Sequence, residues 1–192
     1  MSAKPKHYYT LEEYFALEKV GDARYEYWNG DIVCMSGGSP EHGQIASNIH
    51  GELHGQLKGG RCRAFTSEIA ISTPTLPPYC YPDVSVACGQ PAFQRIRGIG
   101  ALINPVVVVE VLSPHTEVAD RGTKFQAYSA IDTLQEYLLV SQDRPFLTHY
   151  TRQDNNEWNS SDISDLAATV SLSSINCNLL LQDIYDGIIF TT

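Results

Sequence analysis

Ile45, Ile49, Leu53 and Leu57 recur at every fourth position, the spacing of one apolar stripe along a helix. Ser39 and Pro40 stand where that helix wants an N-cap and a first-turn proline, and Gly59-Gly60 closes it. An earlier helix is predicted from Thr10, which forms a capping box with Glu13 ahead of Tyr14, Leu17 and Val20. Gly21-Asp22 ends it. Residues 24–35 then alternate on either side of Asn29-Gly30, the pattern of a hairpin with a type I′ turn, and Gly37-Gly38 breaks the chain before the second helix.

Beyond residue 60 strand-like runs follow. Strands are predicted at 62–66 and 69–72, a proline-rich loop at 73–79, a short strand at 81–88, and a polar loop as far as 104. Residues 105–112 read Pro-Val-Val-Val-Val-Glu-Val-Leu, apolar on both faces except for one carboxylate. Such a run belongs in the middle of a sheet covered on both sides. Ser113-Pro114 stops it. A helix over 117–130, a strand at 136–140, a hairpin with one arm at 146–152 and a turn at 154–156, a β run at 168–172 and a short apolar helix at 179–185 complete the order. With no internal repeat, low-complexity tract or dividing linker, residues 1–192 are expected to form one α/β (α+β) domain around a mixed sheet.

Composition narrows the class. At 192 residues, 43% hydrophobic and 18% charged, the chain is not disordered throughout. No run reaches the roughly 18–20 apolar residues of a membrane span. The opening MSAKPKHYYT has no apolar segment after its lysines, so a signal peptide is not expected and a cytoplasmic protein is. The five cysteines contain no CxxC pair, and the expectation is small core or surface residues rather than disulfides or zinc ligands. Thirteen Lys+Arg against 22 Asp+Glu give a net charge of −9. That balance argues against a protein that coats nucleic acid by charge alone, but not against a local site working with a divalent cation.

Two carboxylates stand out. Glu110 interrupts the most apolar strand, where an ionised group costs several kcal/mol unless it is paired or metal-bound. Asp83 opens a strand in which Asp83, Ser85 and Ala87 share a face. Adjacent strands would bring the two together at one sheet end, and side-by-side carboxylates suit a hard cation such as Mg²⁺ or Mn²⁺. The plainer alternative pairs Glu110 with a buried Arg or Lys and leaves Asp83 capping a turn.

Pro82-Asp83 followed by Glu110-Val111-Leu112 resembles the PD-(D/E)xK nuclease signature, with Leu112 in the lysine position. The whole chain is similar to the Uma-two family of restriction-endonuclease-like proteins. The likeness is carried in order by Tyr9 to Tyr14, Arg24-Tyr25-Glu26 with Asn29-Gly30, Ser39 to His42, Tyr81 to Val84, Val109 to Pro114, Lys124 to Tyr128 and Glu136 to Val140. The resemblance implies a restriction-endonuclease-like core, a mixed sheet flanked by helices with an N-terminal helix and hairpin. It also implies Mg²⁺-dependent cleavage of DNA leaving a 5′-phosphate, with Mn²⁺ able to substitute. Asp83, Glu110 and the Val111 backbone carbonyl would hold the cation, and Lys124 would do the work vacated at Leu112. Glu26 and His42 are additional candidates. Against these stand a solvated Lys124, a surface Glu26 and a core-edge His42.

Helical spacing puts Asp120, Lys124 and Tyr128 on one face. His50-x-x-x-His54 has zinc-like spacing but lacks the acid and the third ligand. Duplex DNA is the expected partner, bound weakly without metal, and a homodimer is expected because a double-strand cut needs two sites. The competing readings are a nuclease-fold binding or assembly protein without activity, and a hydrolase of small phosphorylated molecules. The sparse basic residues, Arg61/Arg63 and Arg95/Arg97, favour the first of these.

Overall fold

In the computed structural model, residues 7–20, 23–28, 30–35, 37–114 and 116–190 are described. The chain runs α1 (Leu11–Val20), β1 (Tyr25–Trp28), β2 (Asp31–Cys34), α2 (Pro40–Leu57), β3 (Cys62–Thr66), β4 (Ala70–Ser72) and β5 (Tyr79–Cys80). It continues with β6 (Val84–Cys88), β7 (Phe93–Ile96), β8 (Ile99–Leu102) and β9 (Pro105–Leu112). There follow α3 (Glu117–Ala119), a π-helical turn (Asp120–Lys124), α4 (Phe125–Ser129), β10 (Glu136–Ser141), β11 (Leu147–Arg152), β12 (Trp158–Ile163), β13 (Thr169–Leu172), β14 (Cys177–Leu180) and α5 (Leu181–Ile184).

The main sheet has six strands in the order β12-β11-β10-β9-β6-β3. β9 is central, parallel to β10 and antiparallel to β6. Its two faces feed two cores. Val107, Val109 and Val111 pack with Ile45, Ile49 and Leu53 of α2 and with the β13–β14 ribbon. Val108 and Leu112 pack with Tyr128, Leu134, Tyr137 and Leu139 on the opposite side. This is why the 105–112 run is apolar on both faces. A third, aromatic core of Tyr14, Phe15, Tyr27, Tyr79 and Tyr81 docks α1 and the β1–β2 hairpin on the small sheet β5-β4-β8-β7.

The caps form as predicted. Thr10 N–H donates to Glu13 Oε2 (2.7 Å), and Glu13 N–H donates to Thr10 Oγ1 (3.2 Å). Ser39 Oγ accepts from His42 N–H at 3.1 Å, with Pro40 at the helix start. Ser39→Ala should therefore cost about 1 kcal/mol, read as a lowered midpoint in urea, and an unchanged midpoint would remove the cap from the account.

Several expectations are corrected. Helix α1 buries Tyr14 and Phe15 rather than the Leu17–Val20 side, and Val20 is 71% exposed, because the aromatic core accepts the stripe that starts at Leu11. The 81–88 strand begins only at Val84, leaving Asp83 just ahead of it. The polar stretch before residue 104 holds the β7–β8 hairpin, whose two-residue turn has positive φ at Arg97 (48°) and Gly98 (108°). Its four-residue arms, Phe-Gln-Arg-Ile and Ile-Gly-Ala-Leu, show no clean alternation, so the hydrophobic pattern does not mark them although Ala101 and Leu102 are fully buried. The C-terminal apolar run is not a helix throughout: 177–180 pairs with β13, and only Leu181–Ile184 is helical. Cys62 and Cys88 lie opposite each other in the β3–β6 register and form a disulfide, contrary to expectation.

The β1–β2 arms pair as expected, Trp28 opposite Asp31, while the Asn29 half of the turn and the Gly21-Asp22 helix stop lie outside the described residues. Gly30, at φ 95°, has no room for a side chain, since a Cβ there would approach Tyr8 to 2.8 Å. Among the described residues no helix is long and apolar enough to cross a membrane.

Candidate active site

The β6–β9 register pairs Val84 with Val109, so Asp83 and Glu110 meet at the same end of the sheet. Asp83 Oδ2 accepts from the backbone N–H of Val111 at 2.6 Å, an amide left without a ladder partner where β6 begins. Glu110 shares its face of β9 with Val108 and Leu112, beneath the π turn and α4. It is 3% exposed. Its Oε1 accepts from Tyr128 O–H at 2.9 Å and from Lys124 Nζ at 3.3 Å.

Lys124 is 2% exposed, so the solvated-surface reading of this residue is wrong. Its Nζ also lies 3.0 Å from Asp120 Oδ1 and 3.4 Å from Glu26 Oε2. The Asp120 contact is an ion pair rather than a hydrogen bond, since Oδ1 is buried without a hydrogen-bond partner. Glu26, 2% exposed, is not a surface carboxylate either, and its Oε1 accepts from Tyr81 N–H at 2.9 Å. Glu26 thus ties the ammonium to the segment leading into Asp83. The hairpin, the strand end before β6, β9 and the π turn each deliver one part of the cluster.

The π turn explains a misread boundary. A continuous helix over 117–130 was expected, yet five residues, Asp120–Lys124, are π-helical. Glu117 and Val118 are left in solvent while Asp120, Lys124, Ala127 and Tyr128 all face inward. Insertions of this kind commonly mark functional positions in helices. Leu112 packs in the core, and the ammonium reaches Glu110 from the π turn instead.

Electrostatically the cluster carries more negative than positive charge. Three carboxylates surround one buried ammonium, with Asp83 beside them. Burial pushes the Glu110 carboxyl well above the usual range; Lys124 opposes this, while Asp120, Asp83 and Glu26 add to it. Burial likewise raises Glu26 against the pull of Lys124. Burial pulls Lys124 down, but Glu110, Glu26 and Asp120 outweigh it and hold the group charged. Burial and the Glu110 charge keep Tyr128 a protonated donor. The excess negative charge calls for a proton or a cation.

The cluster opens onto a cleft of about 970 Å³ lined by Arg24, Ser39, His42, Asp83, Glu110 and Lys124, among others. His42 is half-buried in the first turn of α2, with Nε2 3.4 Å from Asp83 Oδ2. Burial lowers its basicity, but Asp83 and the backbone of Val111 raise it further, and the net shift is upward.

The donor chemistry fits Mg²⁺ or Mn²⁺. Asp83, Glu110 and the Val111 carbonyl are hard oxygens, and both bonds to Glu110 fall on Oε1, leaving Oε2. Among the described residues no three His, Cys, Asp or Glu side chains form a ready-made cage.

Of the sequence candidates, the structure gathers Asp83, Glu110, Lys124, Glu26 and His42 in one place. Asp120 and Tyr128 were aligned with Lys124 by helical spacing but given no part. Cys80, a buried thiol close enough to feel Glu26, Lys124 and Glu110, carried no sequence signal.

Residues 11–181 match the Uma2 family, described as putative restriction endonuclease. Uncharacterized protein slr1290 of Synechocystis sp. is 34% identical over 181 residues, 93% of this chain and 92% of its own. Uncharacterized protein sll1609 of the same organism is 30% identical over 149 residues, covering 78% and 84%. A crystal structure of a putative nuclease belonging to DUF820 from Anabaena variabilis has the same mixed α/β fold. Its TM-score is 0.65 at 21% identity, covering 85% of this chain and 90% of that one. With the match running from α1 to the start of α5, the chain belongs to the Uma2 family of putative restriction endonucleases.

Proposed function

We propose that the protein is a divalent-metal-dependent endonuclease that hydrolyses DNA phosphodiester bonds. The observation that carries this reading is the excess of buried carboxylate around one ammonium, at a sheet end that opens onto a cleft. Asp83, Glu110 and the Val111 carbonyl would hold Mg²⁺ or Mn²⁺, which supplies a more acidic bound water and charge stabilisation at the phosphate. The Val111 N–H orients the Asp83 carboxylate. Tyr128 and Lys124 both hold Glu110 by Oε1, which leaves Oε2 for the cation. The Lys124 ammonium stands where it can orient an attacking water and offset charge that develops on the phosphate. Glu26 holds that ammonium in place through its second bond to Tyr81. A double-strand cut requires two such sites, which a homodimer would supply.

The net charge of −9 favours a second reading, a nuclease-fold assembly protein without turnover. A Mn²⁺ titration followed by plasmid cleavage separates the two. Wild type should bind Mn²⁺ and nick supercoiled DNA in Mg²⁺ or Mn²⁺. Asp83→Asn should lose at least tenfold in Mn²⁺ affinity and remain folded, because an amide oxygen still accepts from Val111. Equal Mn²⁺ affinity in the variant would remove the metal assignment, and metal binding without any cleavage would favour the assembly reading.

A further inference from the structure

We propose that His42 is a direct nitrogen ligand of the cation, making the site a mixed nitrogen–oxygen centre that prefers Mn²⁺ or another transition metal to Mg²⁺. This rests on the metal reading above and names a donor that the carboxylate pair does not include.

Three observations carry it. First, His42 Nε2 faces Asp83 Oδ2 at 3.4 Å, longer than a well-formed N–H···O bond. Adjacent ligands of one cation, each bonded at about 2.1 Å, stand about 3 Å apart, so the separation suits shared coordination. Second, the same imidazole adjoins the Val111 backbone, whose carbonyl is the other oxygen donor. The ring therefore borders two of the three donors already assigned. Third, the ring is held there. Its helix turn is fixed by the Ser39 cap and anchored by buried Ile45 and Ile49. On its far side Gly38 leaves room that no other residue would: a Cβ there would come within 2.8 Å of His42 Cγ and Nδ1. Nδ1 is backed against Gly38, and Nε2 is turned to the carboxylate and the cleft.

Imidazole nitrogen favours Mn²⁺, Fe²⁺ or Co²⁺ over Mg²⁺, which takes oxygen almost exclusively. His42 would then set which metal loads the site. The rival role is a ring that only steadies Asp83 from outside the coordination sphere, and the two differ in a spectroscopic signature.

The experiment is electron spin-echo envelope modulation on the full chain loaded with Mn²⁺. Wild type should show coupling to a directly bound ¹⁴N, changing to a ¹⁵N pattern when histidine is isotopically labelled. His42→Gln should lose the coupling, with Mn²⁺ affinity reduced about tenfold or more and Mg²⁺ affinity changed little. His50→Gln should keep it, which excludes the other described histidine of the cleft, and His42→Asn serves as a second variant where His42→Gln does not fold. Mn²⁺ bound without nitrogen coupling overturns the proposal and leaves the carboxylate site standing. Coupling kept in His42→Gln also overturns it, whatever His50→Gln shows. Failure of wild type to bind Mn²⁺ overturns both readings.

Discussion

Lys124→Met is expected to lower the stability of the metal-free protein by about 3–5 kcal/mol, the usual cost of breaking a buried ion pair from one side. The substitution preserves length and apolar volume but leaves Glu26, Glu110 and Asp120 facing one another without the ammonium that lies 3.0–3.4 Å from each. Acid should rescue the variant. Glu110 and Glu26 already titrate above the ordinary carboxylate value of 4.5 in the folded protein. A carboxyl raised on folding favours the folded state while protonated, and that advantage is lost as pH rises from the unfolded value through the folded one. Without Lys124 both groups move further up, so the deficit should be largest near neutral pH and shrink toward about pH 5. Guanidinium denaturation at the two pH values measures it, and adding Glu110→Gln should recover part of the loss. A Lys124→Met protein within about 0.5 kcal/mol of wild type at neutral pH would show that the cluster does not depend on its cation. On the proposed function the same variant should cleave DNA about a hundredfold more slowly or worse.

Reducing the Cys62–Cys88 disulfide should cost about 3.5 kcal/mol, the chain-entropy value for a cross-link spanning 26 residues. The bond joins β3, the edge of the main sheet, to β6, whose other end leads back to Asp83. Loosening that edge bears on the site as well as on the fold. Urea unfolding with and without reductant reads the effect. Thiol titration of the unreduced, denatured protein should find three free cysteines, Cys34, Cys80 and Cys177. All five thiols titrating there, or a midpoint indifferent to reductant, would show that the bridge does not form in solution.

What could be read from the chain alone was local. Thr10 with Glu13, Ser39 with Pro40, and the 45–49–53–57 stripe act within a helical turn or two, so their meaning survives without a fold. Glu110 was legible for a different reason: a carboxylate in a valine run violates the pattern around it, and the violation marks the site without naming its partners. The strand order then put Asp83 beside it.

Tertiary structure decided everything that depends on which distant segments meet. Glu26 looks like an ordinary hairpin carboxylate until the aromatic core docks that hairpin over the sheet end, where its Oε2 reaches Lys124 and its Oε1 takes the Tyr81 amide. Lys124 looks like a solvated lysine until its helical segment packs over β9, where the ammonium meets Glu110, Glu26 and Asp120; i, i+4 spacing aligns it with Asp120 and Tyr128 but cannot say that this face is the buried one. Cys62 and Cys88 are separated by 26 residues, and only the antiparallel register of β3 and β6 sets them opposite each other. Side-chain periodicity reports which face of an element is buried; it carries no term for the partner across the interface, and at this site the partners are what hold the charge.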